Sequence, residues 1–157
     1  MPDDANAKMP RVTAFHAVLG FATLALTAAA AVWGAWRWWR VEPSAWFWHL
    51  LRGAQALLVL EALDGGLLLV LGHEPDSGLH YVYGLVPLAV SFVGEQLRLA
   101  SADAVLAARG LESADAMRSL PQAEQRSIVL AIVRREMGVM TLSAAVMVGL
   151  LLRAGFA

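Results

Sequence analysis

The chain contains no cysteine, which excludes disulfides, thiolate metal sites, iron–sulfur clusters and covalently attached heme. Charge is also scarce: 16% of residues are Asp, Glu, Lys or Arg, against roughly 25% in soluble domains. Lysine is nearly missing, with Lys8 standing beside eleven arginines. That bias, with abundant Ala, Leu, Val and Gly, fits a GC-rich bacterial genome. The net charge of −1 offers little to a phosphate backbone, so no nucleic-acid partner is expected. No nucleotide-binding loop or serine-hydrolase signature occurs. No small-residue cleavage site follows a short apolar region, so the first helix does not read as a signal peptide. What is present is 59% hydrophobic, with a mean hydropathy of +0.58. That is the composition of a chain lying largely in a lipid bilayer.

Four apolar segments follow in order. Residues 1–11 are polar and read as a flexible tail, and 12–157 as one four-helix membrane domain. Val12–Trp36 holds His16 as its only ionisable group and is long enough to span a bilayer of about 20 residues. It ends in Trp33, Trp36, Arg37, Trp38, Trp39 and Arg40, an interfacial belt. After a turn at Pro43, a second helix is predicted from about Ala45 to Gly72, with Arg52, Glu61 and Asp64 turned toward protein. A third starts near Leu79, passes Pro87 with an expected kink, and continues past Leu97 toward a stop at Gly110. A cytoplasmic loop segment at about 100–126 includes a short surface helix, with Ser113 as a candidate cap and Pro121 in a first helical turn. Ser127–Leu152 is the fourth helix. The fold class expected is therefore all-α, a four-helix transmembrane bundle.

Arginine placement gives an orientation. The first and third loops and their flanks hold nine arginines, from Arg37 and Arg40 to Arg134 and Arg135; the opposite face holds Lys8, Arg11 and Arg153. The positive-inside rule then puts both termini outside a bacterial cytoplasmic membrane. His16, His73 and His80 fall near the outer surface, and His49 stays alone at the inner one.

Two stretches repeat. FHAVLGFATLAL (15–26) and LHYVYGLVPLAV (79–90) share His16/His80, Val18/Val82, Gly20/Gly84, Leu24/Leu88 and Ala25/Ala89. A weaker echo places Arg52 on Arg135 and the GLLL of 66–69 on that of 149–152. Together they suggest two similar helical hairpins, a parallel-repeat design known in membranes. Helical spacing puts His16, Gly20, Thr23, Thr27 and Gly34 on one stripe, and His80, Gly84, Ser91 and Gly94 on another. Such stripes serve close helix packing, and each histidine can simply hydrogen-bond a carbonyl or water. In the functional reading the glycines clear room for a flat macrocycle and the two imidazoles ligate its iron, as in low-spin electron-transferring hemes. Arg11 and Lys8 would then meet the propionates, or serve as ordinary interface anchors.

Glu61 and Asp64 lie three apart on one helix face near mid-membrane, where a carboxylate is costly. They read either as proton or quinone contacts or as internal hydrogen-bonding groups. Glu95 lies level with Arg52, which predicts a structural salt bridge. His73, Glu74, Asp76 and His80 include copper or zinc ligand types, but without sharp spacing they read as a polar loop.

On His16 in FHAVLG, His80 in LHYVYG and the stretch Gln55–Gly66, the chain resembles one four-helix half of heme A synthase, and more generally a small membrane b-type cytochrome. That resemblance implies heme b held by His16 and His80 near the outer face. The family has two such halves, and cysteines in many members; this chain has one half and none, so oxidation of a heme methyl group is not carried over. The expected function is electron transfer or heme handling linked to the respiratory chain, with a quinone as a candidate contact. The alternative is a cofactor-free accessory or assembly subunit of a larger membrane complex, and a third class is a multi-copy transporter lined by Glu61 and Asp64. Partners expected are the lipid bilayer and either another membrane protein or a second copy of the chain.

Overall fold

In the computed structural model, residues 4–75 and 77–155 are described, with side chains from residue 14 onward. Four long helices account for nearly all of them: α1 (Asp4–Arg40), α2 (Ala45–Val70), α3 (Gly78–Ala107) and α4 (Gln122–Ala154). A short 3-10 turn, Asp115–Ser119, precedes α4. The first helix begins at Asp4 rather than at Val12, so most of the segment read as a flexible tail is helical. Ala5, Ala7, Lys8 and Met9 all favour helix, and Asp4 suits the positive end of the helix dipole. Pro87 is buried inside α3, which runs on without a break.

Two helix starts rest on serine caps. Ser44 is extended (φ −142°, ψ 111°), and its hydroxyl accepts from the Phe47 amide at 3.3 Å and from the Trp33 indole at 3.0 Å. One hydroxyl thus caps α2 and ties it to α1. Ser77 accepts from the Leu79 amide at 3.2 Å and opens α3. Ser113 does not cap; the turn starts after Ala114, and Pro121 sits at the N-cap of α4 rather than inside its first turn.

The ends of α1, α2 and α3 share one construction. Glu42 N–H donates to Arg37 O and Val41 N–H to Trp38 O, both at 3.1 Å; His73 and Gly72 repeat this on Leu68 and Leu69, and Leu111 and Gly110 on Leu106 and Ala107. This is the Schellman closure, whose pivot residue takes positive φ. Gly72 (φ 83°) and Gly110 (φ 68°) adopt it freely, but at α1 the pivot is Val41 (φ 52°). A β-branched residue there costs about 1–2 kcal/mol. Val41→Gly is expected to raise stability by about 1 kcal/mol, measured by unfolding in mixed detergent micelles. An unchanged or lowered midpoint would count against strain at this turn.

His16 near the start of α1 meets Asp64 near the end of α2, and Arg98 near the end of α3 meets Glu136 near the start of α4. Each sequential pair is therefore antiparallel. α4 is central, packing on both α1 and α3; α2 leans on α1, and α2 and α3 barely touch. The main core follows the 3.6-residue period of α4, with Met137, Met140, Ala144, Met147 and Leu151 against Ala30, Phe47, Leu51 and Leu58. A smaller cluster of Val105, Leu106 and Ile128 supports the turn before α4, so much of segment 100–126 is ordered helix and packed turn.

Glycines set the close approaches. A Cβ on Gly34 would stand 2.5 Å from Thr141 Oγ1 and press on the Phe47 ring; one on Gly94 would stand 2.6 Å from Ser143 Oγ; one on Gly138 would stand 2.9 Å from the Trp38 indole. At Gly34 and Gly94 the small-residue stripes are helix-packing surfaces.

The thin α2–α3 seam is clasped at one end by a polar network. Arg52 holds Glu95 through both nitrogens (2.5 and 3.1 Å), Gln55 reaches Ser91 (3.0 Å) and Glu95 (3.1 Å), and Arg98 pairs with Glu95 at 3.0 Å. The expected Arg52–Glu95 bridge is present.

Ala14–Arg40, Ala45–Val70 and Gln122–Ala154 are long and apolar enough to cross a membrane. Among the described residues the chain is thus all-helical, with three such helices. α3 does not qualify by composition, because His80, Tyr81, Tyr83, Glu95 and Gln96 dilute its apolar residues.

Candidate functional site

At the end of the bundle away from the tryptophan belt, α2 and α3 part and leave a cavity of about 330 Å³. His16, Glu61, His73, His80 and Gly84 line it, with Gly65 and the Ala154 main chain at its edge. The two histidines of the repeat come together there. Their ring centres are 6.1 Å apart and the planes are inclined by 55°.

Each ring is fixed through the same nitrogen. His16 Nδ1 lies 3.0 Å from Asp64 Oδ2, and both side chains are largely buried. His80 Nδ1 donates to the Ala154 carbonyl at 3.2 Å. That carbonyl lies in the last turn of α4, where no intrahelical donor remains for it. The carbonyl requires a proton on Nδ1 and the carboxylate favours one, and in the neutral form of such an imidazole the lone pair lies on Nε2. Histidine ligands to metals are commonly held this way.

Gly65 supplies the space for the first ring: a Cβ there would stand 3.3 Å from His16 Cε1. Nothing in the helical stripes singled out this residue, although it directly follows Asp64.

Gly20 does not clear room for a macrocycle. A Cβ on it would meet Glu61 Oε1 at 2.9 Å, so the carboxylate of α2 already fills the space that this glycine opens. Gly84 is different, with nothing within 4 Å of its missing Cβ. Glu61 and Asp64 share one face of α2 as expected, but do different things. Asp64 orients His16, while Glu61 Oε2 is buried without a hydrogen-bond partner among the described residues.

His73 joins the cavity wall, and its Nδ1 is also buried without a partner among the described residues. No group of three or more His, Asp or Glu side chains able to hold a bare metal ion occurs among the described residues. Asp76 lies outside them, as do the side chains of Arg11 and Lys8. His49 stands at the other end against Trp46, with ring centres 6.1 Å apart.

Fold and site together define a helical membrane protein with a histidine- and carboxylate-lined cavity at one end. No protein-family model, curated protein or solved structure matches the chain.

Proposed function

We propose that the chain is a four-span membrane protein of the b-type heme class, with His16 and His80 as axial ligands. α3 would be the fourth span, since its 30 residues extend about 45 Å alongside α4. One observation carries the reading: the centres of two imidazoles lie 6.1 Å apart, with both Nδ1 atoms already engaged. Two rings bound through Nε2 to one metal, with metal–nitrogen bonds of about 2 Å, have centres about 6 Å apart. The residues fit a flat group on the Gly84 side, where space is open, and not on the Gly20 side, where Glu61 stands.

When bound, heme supplies a one-electron couple, which suits electron transfer or heme handling linked to a respiratory chain, with a quinone as a candidate contact. The protein's part is to hold the ligand nitrogens. Asp64 orients His16 and strengthens it as a donor, and the α4 terminus does the same for His80. Because α2 and α3 barely touch, the flat group would slot between the two hairpins, which this reading treats as repeats. The placement it uses is a bacterial cytoplasmic membrane with both termini outside.

The test is an absorption spectrum of protein expressed with added heme and purified in mild detergent, oxidised and then reduced with dithionite. A sharp reduced α-band supports two-histidine ligation; no Soret band overturns it. A second expected result concerns Asp64. Asp64→Asn should keep the hydrogen bond's shape, lose its charge and weaken heme retention about tenfold. Retention equal to the unsubstituted chain would remove Asp64 from the ligand's support.

A second reading, a cofactor-free accessory subunit of a larger membrane complex or of a self-assembled one, is favoured by the same hydrogen bonds. His16–Asp64 and His80–Ala154 are also interhelical links in their own right. A spectrum without heme would leave this reading standing.

A further inference from the structure

Beyond the histidine cavity, the molecule has a second concavity of different chemistry. A groove of about 700 Å³ lies between the end of α1 and one face of α4, at the level of the tryptophan belt. Trp38, Ser127, Arg134, Arg135, Val139 and Leu142 line it, and no acidic side chain does. Its α4 face is graded: Ser127 at one end, the two arginines in the middle, and apolar Val139 and Leu142 beyond.

Most arginines with described side chains are already engaged; Arg134 and Arg135 are not, and neither is Arg126, which does not line the groove. Among the described residues, Arg37 and Arg40 pair with Glu42, Arg52 and Arg98 with Glu95, and Arg118 with Asp115. Arg109 donates to Ser127, and Arg153 lies over the Tyr83 ring. Arg134 and Arg135 have no ion pair or hydrogen bond to a described side chain. The neighbouring carboxylate, Glu136, turns away from them to Arg98 at 3.5 Å.

We infer that this groove binds an anionic phospholipid, with its phosphate on the Arg134 and Arg135 guanidiniums and an acyl chain along Val139 and Leu142. Three properties select that occupant. Two adjacent guanidiniums without counter-charge call for an anion, and the phosphate fits their fork geometry. The depth is that of lipid headgroups, marked by Trp36, Trp38 and Trp39. The apolar floor runs from the cations toward the uncharged part of α4, as a lipid tail does. Basic pockets between membrane helices bind anionic headgroups in this way. The inference needs only that α1 and α4 lie in a membrane, and is independent of heme.

The experiment is native mass spectrometry of the full chain in mild detergent, offered equal amounts of phosphatidylglycerol and phosphatidylcholine. The unsubstituted protein is expected to retain phosphatidylglycerol well above phosphatidylcholine. Arg134→Gln with Arg135→Gln should lower that retention about thirtyfold, while Arg126→Gln leaves it unchanged and Arg134→Lys with Arg135→Lys keeps most of it. Equal retention of the two lipids by the unsubstituted chain overturns the proposal, and so does unchanged preference in the double glutamine variant. Displacement of the lipid by an equal concentration of inorganic phosphate would make this an ion site, and the lipid assignment would fall.

Discussion

Replacing either His16 or His80 with alanine is expected to reduce bound heme more than tenfold, with the reduced α-band lost in both variants. The size follows from what is removed. Loss of an outer partner of a metal ligand commonly costs 10–100-fold in affinity, and loss of the ligand itself should cost at least as much. In the proposed reading both imidazoles would be needed, since each would hold one side of the iron from a different hairpin. His49→Ala is the control, since His49 packs on Trp46 at the opposite end. Heme retained at full occupancy in His80→Ala would refute axial ligation by that residue. Equal loss in His49→Ala would point to a general folding defect.

Gly34→Leu should be the most damaging packing substitution, costing about 1–3 kcal/mol or more. The first added carbon would stand 2.5 Å from Thr141 Oγ1 and against the Phe47 ring. Neither neighbour has anywhere to go: Phe47 is 0% exposed and Thr141 is 4% exposed. Phe47 is further held because its amide donates to Ser44. Gly66→Leu and Gly149→Leu are matched controls, since nothing lies within 4 Å of a Cβ at either position. Unfolding in mixed micelles would measure all three. A Gly34→Leu midpoint no lower than those of the controls would show that α1, α2 and α4 do not meet as closely as described.

The helices were legible because their hydrophobic runs are long and their stops are chemical: Gly110 ends α3 as expected, and Ser44 precedes α2. The Arg52–Glu95 bridge was legible from depth alone, since charges at matched levels in lipid seek each other. The proximity of His16 and His80 could be anticipated from the repeat, because equivalent positions on α1 and α3 fall at one end. What sequence spacing does not carry is which neighbour fills a given gap. Gly20 and Gly84 hold the same place in the repeat, yet Glu61 occupies one and space remains at the other. That asymmetry comes from α2, which the repeat of α1 and α3 does not describe. The partnership of His16 with Asp64, 48 positions away, likewise depends on the rotation of α2 about its axis. Val41 was invisible for a different reason: a valine gives no local sign that its backbone will be left-handed.

The four helices form an unclosed ring, α2 on α1, α1 on α4, α4 on α3, with the last contact back to α2 nearly missing. The clasp of Arg52, Gln55, Ser91 and Glu95 fastens that break at one end. The cavity occupies the other, with His16 from the first hairpin and His80 from the second. A ligand seated there would act as a second fastener, joining the parts of the chain that hold each other least. Its binding energy would then appear as resistance to opening, so the empty protein should breathe along α2 and α3 while the α1–α4 pair stays shut. Entry for a hydrophobic molecule would be sideways, out of the bilayer and through the break.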